Sequence, residues 1–124
     1  MRNPDMPDHD NKACFLVIKN GNATDVTIGR ATGIFSFVRE YFLNDTYQES
    51  TEWAIYNYDN KSGVFSAPGD SGSIVVLGRI GGLLTGGSGK VETSDVTYAT
   101  PFWWLWPRIK EHFPNANLYP VTMA

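Results

Sequence analysis

The chain is poor in the residues that staple, ligate and activate. A single cysteine, Cys14, excludes an internal disulfide. Small extracellular domains usually carry several, so a reducing compartment, the cytoplasm, is expected. Histidine occurs only at His9 and His112, and no His/Cys/Asp group has the spacing of metal ligands. Neither a metal nor an organic cofactor is therefore expected. The net charge is -3 without any run of lysines and arginines, which leaves no electrostatic footprint for nucleic acid. The longest apolar stretch, Pro101 to Pro107, is too short and too aromatic to span a bilayer, so no membrane partner is expected. The opening MRNPDMPDHDNKA lacks the apolar segment of a signal peptide. Sequons begin at Asn22, Asn44 and Asn60, but such triplets carry meaning only in a secreted chain.

What remains is an ordinary globular composition, 42% hydrophobic and 19% charged over 124 residues, enough for one core. Residues 1–12 hold prolines and mixed charges without apolar periodicity and are expected to be a flexible polar leader; residues 13–124 form the domain. Within it, FLVIKNG, ATDVTIG, GIFSFVREYF, EWAIYNY, SIVVL, RIGGLLTGG and DVTYATP are short runs rich in β-branched and aromatic residues. Asn20-Gly21 is a turn dipeptide between the first two. The pattern predicts an antiparallel barrel or sandwich. Only FWWLWPRIKEHF looks helical, with Trp106, Ile109 and Phe113 at helical spacing and Pro107 in a first turn. The cluster Trp103, Trp104 and Trp106 suits packing of that helix better than a sugar-stacking platform.

One stretch carries chemistry: APGDSGSIVV, residues 67–76. Pro68-Gly69-Asp70-Ser71-Gly72 is a glycine-flanked turn before an apolar strand. Such a turn suits an exposed nucleophile with convergent N–H groups, and equally suits a plain hairpin. The order GDSGSIVV, GRIGGLLTGGSG, DVTYATP and an aromatic helix ending in RIKEHF resembles the C-terminal barrel of trypsin-like serine proteases. VIKNGNATDVTIGRATG resembles the start of that barrel in fungal and bacterial members, and the chain looks most like trypsin-like proteins of basidiomycete fungi. The resemblance covers roughly residues 13 to 120.

It implies an all-β fold: a six-stranded antiparallel β-barrel with a C-terminal helix, one half of a double-barrel enzyme. It implies Ser71 as the nucleophile and the N–H groups of Gly69 and Ser71 as an oxyanion hole. Asp70 is implied to order the loop by pairing with a cation, an N-terminal amine in activated family members. Phe65 would floor an apolar specificity pocket, although a core aromatic is an equal reading of it. Thr85, Gly86 and Gly87 would pair with substrate backbone, and Val96 and Tyr98 would line the pocket wall.

The base is missing. In the family, histidine and aspartate come from an N-terminal barrel. His9 and His112 are expected to be surface residues, and a Ser–Lys dyad would need Lys19, Lys61 or Lys90 buried beside Ser71. Residues 1–124 alone are not expected to hydrolyse peptides. Three readings stay open: half of a serine endopeptidase acting on peptide or protein, completed by an N-terminal barrel; an inactive relative that binds peptide, carbohydrate or protein; or a domain that covers its open face with a second copy, as a homo-oligomer.

Overall fold

Alternation decides which side of each strand meets the core. Along Ala13–Gly21 (β2), Phe15, Val17, Lys19 and Gly21 are buried while Ile18 and Asn20 between them face out. The same period-two pattern buries Thr97, Ala99 and Pro101 of Val96–Pro101 (β7). The computed structural model describes residues 6–7, 13–88 and 96–118. Its other elements are Met6–Pro7 (β1), Asp25–Tyr41 (β3), Tyr47–Asn57 (β4), Ile74–Val76 (β5), Ile80–Ser88 (β6) and the helix Phe102–His112 (α1).

All pairings are antiparallel, in the order β1-β2-β3-β4-β7-β6-β5. Pairing of Ile18 with Val76 and of Lys19 with Val75 joins β5 back to β2, so β2 to β7 close in a ring. The seventh strand, β1, comes from inside the expected leader: Met6 and Pro7 pair with Cys14 and Ala13 at the start of β2. Phe15, Val17, Ala31, Trp53, Ile55, Phe65, Val75, Leu84 and Ala99 fill the ring. Trp53, 2% exposed, is its largest member, and burying such a ring stabilises by about 3 kcal/mol.

Four local expectations are corrected. ATDVTIG and GIFSFVREYF are one strand, β3, whose register shifts between Ala31 and Phe35. Gly33 lies within this irregularity. Asn20-Gly21 is not the hairpin turn. Both lie in β2, and the chain reverses over Asn22, Ala23 and Thr24 into Asp25, which takes φ 51. The tryptophans of α1 do not build the core: Trp103 and Trp104 are 64% and 42% exposed, and no residue of α1 is fully buried. Phe102 stacks on Trp106 at 5.7 Å, and Arg108 lies 3.6 Å over the Trp104 ring. Pro107 falls in the second turn, so it offers no N–H to the Trp103 carbonyl.

β3 and β4 outgrow the ring. β7 pairs only with Trp53 to Tyr56 of β4. Among the described residues the two strands therefore pair with each other alone from Ser36–Glu52 to Tyr41–Tyr47, as a two-stranded arm. Phe37, Tyr41, Leu43 and Tyr47 stand exposed on it.

Candidate functional site

The serine loop connects the ring's interior to its surface within a few residues. Gly69 and Gly72 take φ 105 and 88, a region that side chains disfavour, and they swing Ser71 outward while Asp70 points in. Ser71 is exposed and its hydroxyl has no hydrogen bond among the described residues. The loop is tied by Asp70 N–H to the Ala67 carbonyl at 3.1 Å and by Ser73 N–H to the Asp70 carbonyl at 3.1 Å. Gly72 N–H donates to the Leu84 carbonyl at 2.8 Å, and Leu84 N–H to the Ser73 carbonyl at 2.9 Å. The Gly69 and Ser71 N–H groups take no part in these ties.

Asp70 holds the loop from beneath. Its side chain is fully buried, and Oδ1 accepts the N–H groups of Ala23 at 2.8 Å and Thr24 at 3.2 Å. Oδ2 accepts the Thr24 hydroxyl at 2.6 Å and the Ala67 N–H at 3.0 Å. The cation is Lys19, equally buried, whose Nζ stands 3.6 Å from Oδ2 and donates to Thr24 Oγ1 at 2.5 Å and the Asp25 carbonyl at 3.0 Å. Asp70 thus both caps a turn and pairs with a cation, and that cation belongs to β2. Burial pushes the Asp70 carboxyl up, but the bonds from Thr24, Ala23 and Ala67 outweigh it and bring the pKa down to about 2. Burial also pushes the Lys19 ammonium down, with Asp70 offsetting part of the shift.

Gly21 is required by this arrangement, because a Cβ there would stand 2.2 Å from Asp70 Oδ1. Asn20-Gly21 has its glycine for a carboxylate that arrives from elsewhere in the chain. Lys19 also carried a sequence signal: it shares the inward parity of Phe15 and Val17, and a lysine at a core position calls for a buried anion.

The expected substrate residues separate into two groups. β5 stops opposite Leu83, so among the described residues Thr85 to Ser88 of β6 keep a strand partner only on the β7 side. Thr85, Gly86, Gly87 and Tyr98 line one open groove of about 1140 Å³, with Phe37 and Thr51 of the arm and Trp103 of α1 completing its walls. Phe65 is elsewhere: its ring is buried in the core, 5.6 Å from Lys19 Nζ. Its carbonyl accepts the Thr27 hydroxyl at 2.7 Å. Val96, half-buried, shares the parity of Tyr98 on the outer side of β7, opposite Thr97 and Ala99. The structure therefore does not gather Phe65, Val96 and Tyr98 around one pocket.

No general base meets Ser71 among the described residues. Lys19 lies beneath the loop, but its Nζ is committed to Thr24, Asp25 and Asp70. His112 is exposed in the last turn of α1, and Lys61 is exposed in a turn closed by Asp59. His9 and Lys90 lie outside the described residues. Among the described residues no three His, Cys, Asp or Glu side chains are grouped to hold a metal ion, and no helix is long and apolar enough to cross a membrane. No family model matches the chain, and no curated protein matches it.

Proposed function

We propose that this chain is the nucleophile-bearing, six-stranded barrel half of a trypsin-like serine endopeptidase. The observation that carries the reading is Ser71, exposed between two left-handed glycines on a loop pinned by buried Asp70, beside the unpaired edge of β6. A substrate segment adds to Thr85, Gly86 and Gly87 as an antiparallel strand, its backbone completing the hydrogen bonds that β5 leaves unmade. Ser71 Oγ then attacks the scissile carbonyl carbon. The charge that develops on the carbonyl oxygen is met by the N–H groups of Gly69 and Ser71. The proton lost by Ser71 passes to a histidine supplied by a second barrel and is delivered to the leaving amine, which departs as the acyl-enzyme forms. Water then hydrolyses the ester by the reverse transfer.

Asp70, framed by Thr24, Ala23 and Ala67 and paired with Lys19, keeps the loop in this shape without a newly cleaved N-terminus, so no proteolytic step is needed to order it. The runner-up reading is a binding module that has lost hydrolysis. The groove supports it, since exposed Trp103 and Phe37 both line it together with polar Thr51, Thr85 and Thr100.

A fluorophosphonate probe separates the two. The isolated chain should react no faster than its Ser71→Ala variant, because a positioned base contributes about 10²–10⁴ in rate. In extracts of the source cells, where this reading requires a second barrel, Ser71 should be labelled within minutes. Absence of Ser71 labelling in such extracts, with a known serine hydrolase labelled alongside, overturns the protease reading in favour of the binding module.

A further inference from the structure

An antiparallel sheet with one face in water normally alternates apolar inward and polar outward. Here the outward side of β2, β3 and β5 breaks that rule. Ile28, Ile18 and Val76 stand directly opposite one another across the three strands, and all three are exposed. One step along, Val26 stands opposite Asn20, and Ile74, two residues before Val76 on β5, is exposed like Val26. On the other side Tyr56, Arg30 and Leu16 form a third row. Arg30 is the single charged side chain in the three rows, and its Nε donates to the Asn57 carbonyl at 3.0 Å. The sequence agrees, since Phe15-Leu16-Val17-Ile18 is the unbroken apolar run of a strand covered on both faces.

We infer that this face is covered by the same face of a second copy, giving a twofold dimer in which two sheets pack as a sandwich. Three observations choose this occupant. The rows carry almost no charge in a chain of net charge -3, so they offer a charged partner nothing to pair with, whereas two copies meet here with little repulsion. The six apolar side chains from β2 to β5 expose on the order of 500 Å² per copy, which with a rim approaches the roughly 800 Å² per partner of a stable interface. The central row, Ile28, Ile18 and Val76, is apolar throughout, so a twofold axis through Ile18 sets this row of one copy across that of the other, as sheets do when they pack about 10 Å apart. The inference goes beyond the serine-site reading and uses none of its residues.

Light scattering and sedimentation equilibrium of the whole chain over a tenfold concentration range test it. The expected result is a dimer whose dissociation constant rises more than ~100-fold in Ile28→Asp and, independently, in Val76→Lys, since each places unpaired charge in the apolar contact. Both positions face water in the single chain, so circular dichroism and the melting midpoint of the separated variants should stay close to those of the parent. Leu43→Ser, at the tip of the arm, should leave the dimer intact. A chain that stays monomeric throughout overturns the inference. So does a dimer unmoved by both charged variants, or one dissociated by Leu43→Ser instead.

Discussion

Two ion pairs sit at opposite ends of the same hairpin system and behave as different objects. Lys19–Asp70 is closed to solvent on both sides and embedded in hydrogen bonds from Thr24, Ala23 and Ala67. Arg39–Glu49 joins the two strands of the arm with about half of each side chain in water, Arg39 lying 4.4 Å over the Tyr47 ring. The first draws together segments distant in sequence: the end of β2, the turn after it and the serine loop. The second joins residues that the β3–β4 register already places opposite each other. What an ion pair contributes depends on what would be left behind without it. Under the serine loop that is a bare charge in a core, and on the arm it is a hydrated side chain.

The largest way to break the contrast is Asp70→Ala. It strands Lys19 and removes the acceptor of three backbone N–H groups, so a loss of about 3–5 kcal/mol is expected in urea unfolding. Lys19→Met should cost clearly less. A chain of similar length fills the space, and Asp70 keeps its donors from Thr24 and the backbone. Equal losses in the two variants would mean that the ionic attraction, and not the hydrogen-bonded frame of Asp70, holds the loop.

Acid titration sharpens the same point. Asp70 has a folded pKa of about 2 against an ordinary 3.8. A carboxyl depressed in the folded state contributes stability that is fully present above the unfolded pKa and is lost as pH falls through the folded one. The contribution here is about 2.5 kcal/mol above pH 4, disappearing between pH 4 and 2. Unfolding free energy followed from pH 5 to pH 2 should show this fall in the parent and lack it in Asp70→Asn. A parent curve that stays flat across that window would contradict the hydrogen-bond frame drawn around the carboxylate.

How far these features were legible in the sequence follows from their range. The strands, the terminal helix and the glycine-flanked serine turn rest on neighbours within a few residues, and periodicity and turn chemistry reported them. ATDVTIG and GIFSFVREYF read as two runs although β3 continues through both, because a glycine at a bulge interrupts an apolar run much as a turn glycine does. Gly21 misleads for a different reason: its missing Cβ answers to Asp70, which only the closed ring brings near. The clustering of Trp103 and Trp104 on the closing helix suits packing, yet clustering does not state which side of a short helix meets the sheet. The pairing of Lys19 with Asp70 was half written: parity placed the lysine inside, while its partner depended on how β5 returns to β2.

The smallest expected effect concerns the arm. Glu49→Gln removes its ion pair, yet the global melting midpoint should not change beyond error, because exposed pairs contribute little and the core is untouched. What should change is local opening. A two-stranded ribbon without a third strand is marginal in water, and this one is held by the Arg39–Glu49 pair, by Tyr41 and Tyr47 with ring centroids 6.2 Å apart, and by the Phe42 N–H to Thr46 carbonyl bond at 2.9 Å. Amide exchange from Val38 to Ser50 should therefore quicken in the variant, by a few-fold at low salt and less at high salt. Exchange in β2 and β7 should stay as in the parent. If Glu49→Gln instead lowered the melting midpoint of the whole chain, the arm would be part of the cooperative unit, and the division between a pinned loop and a free ribbon would be lost.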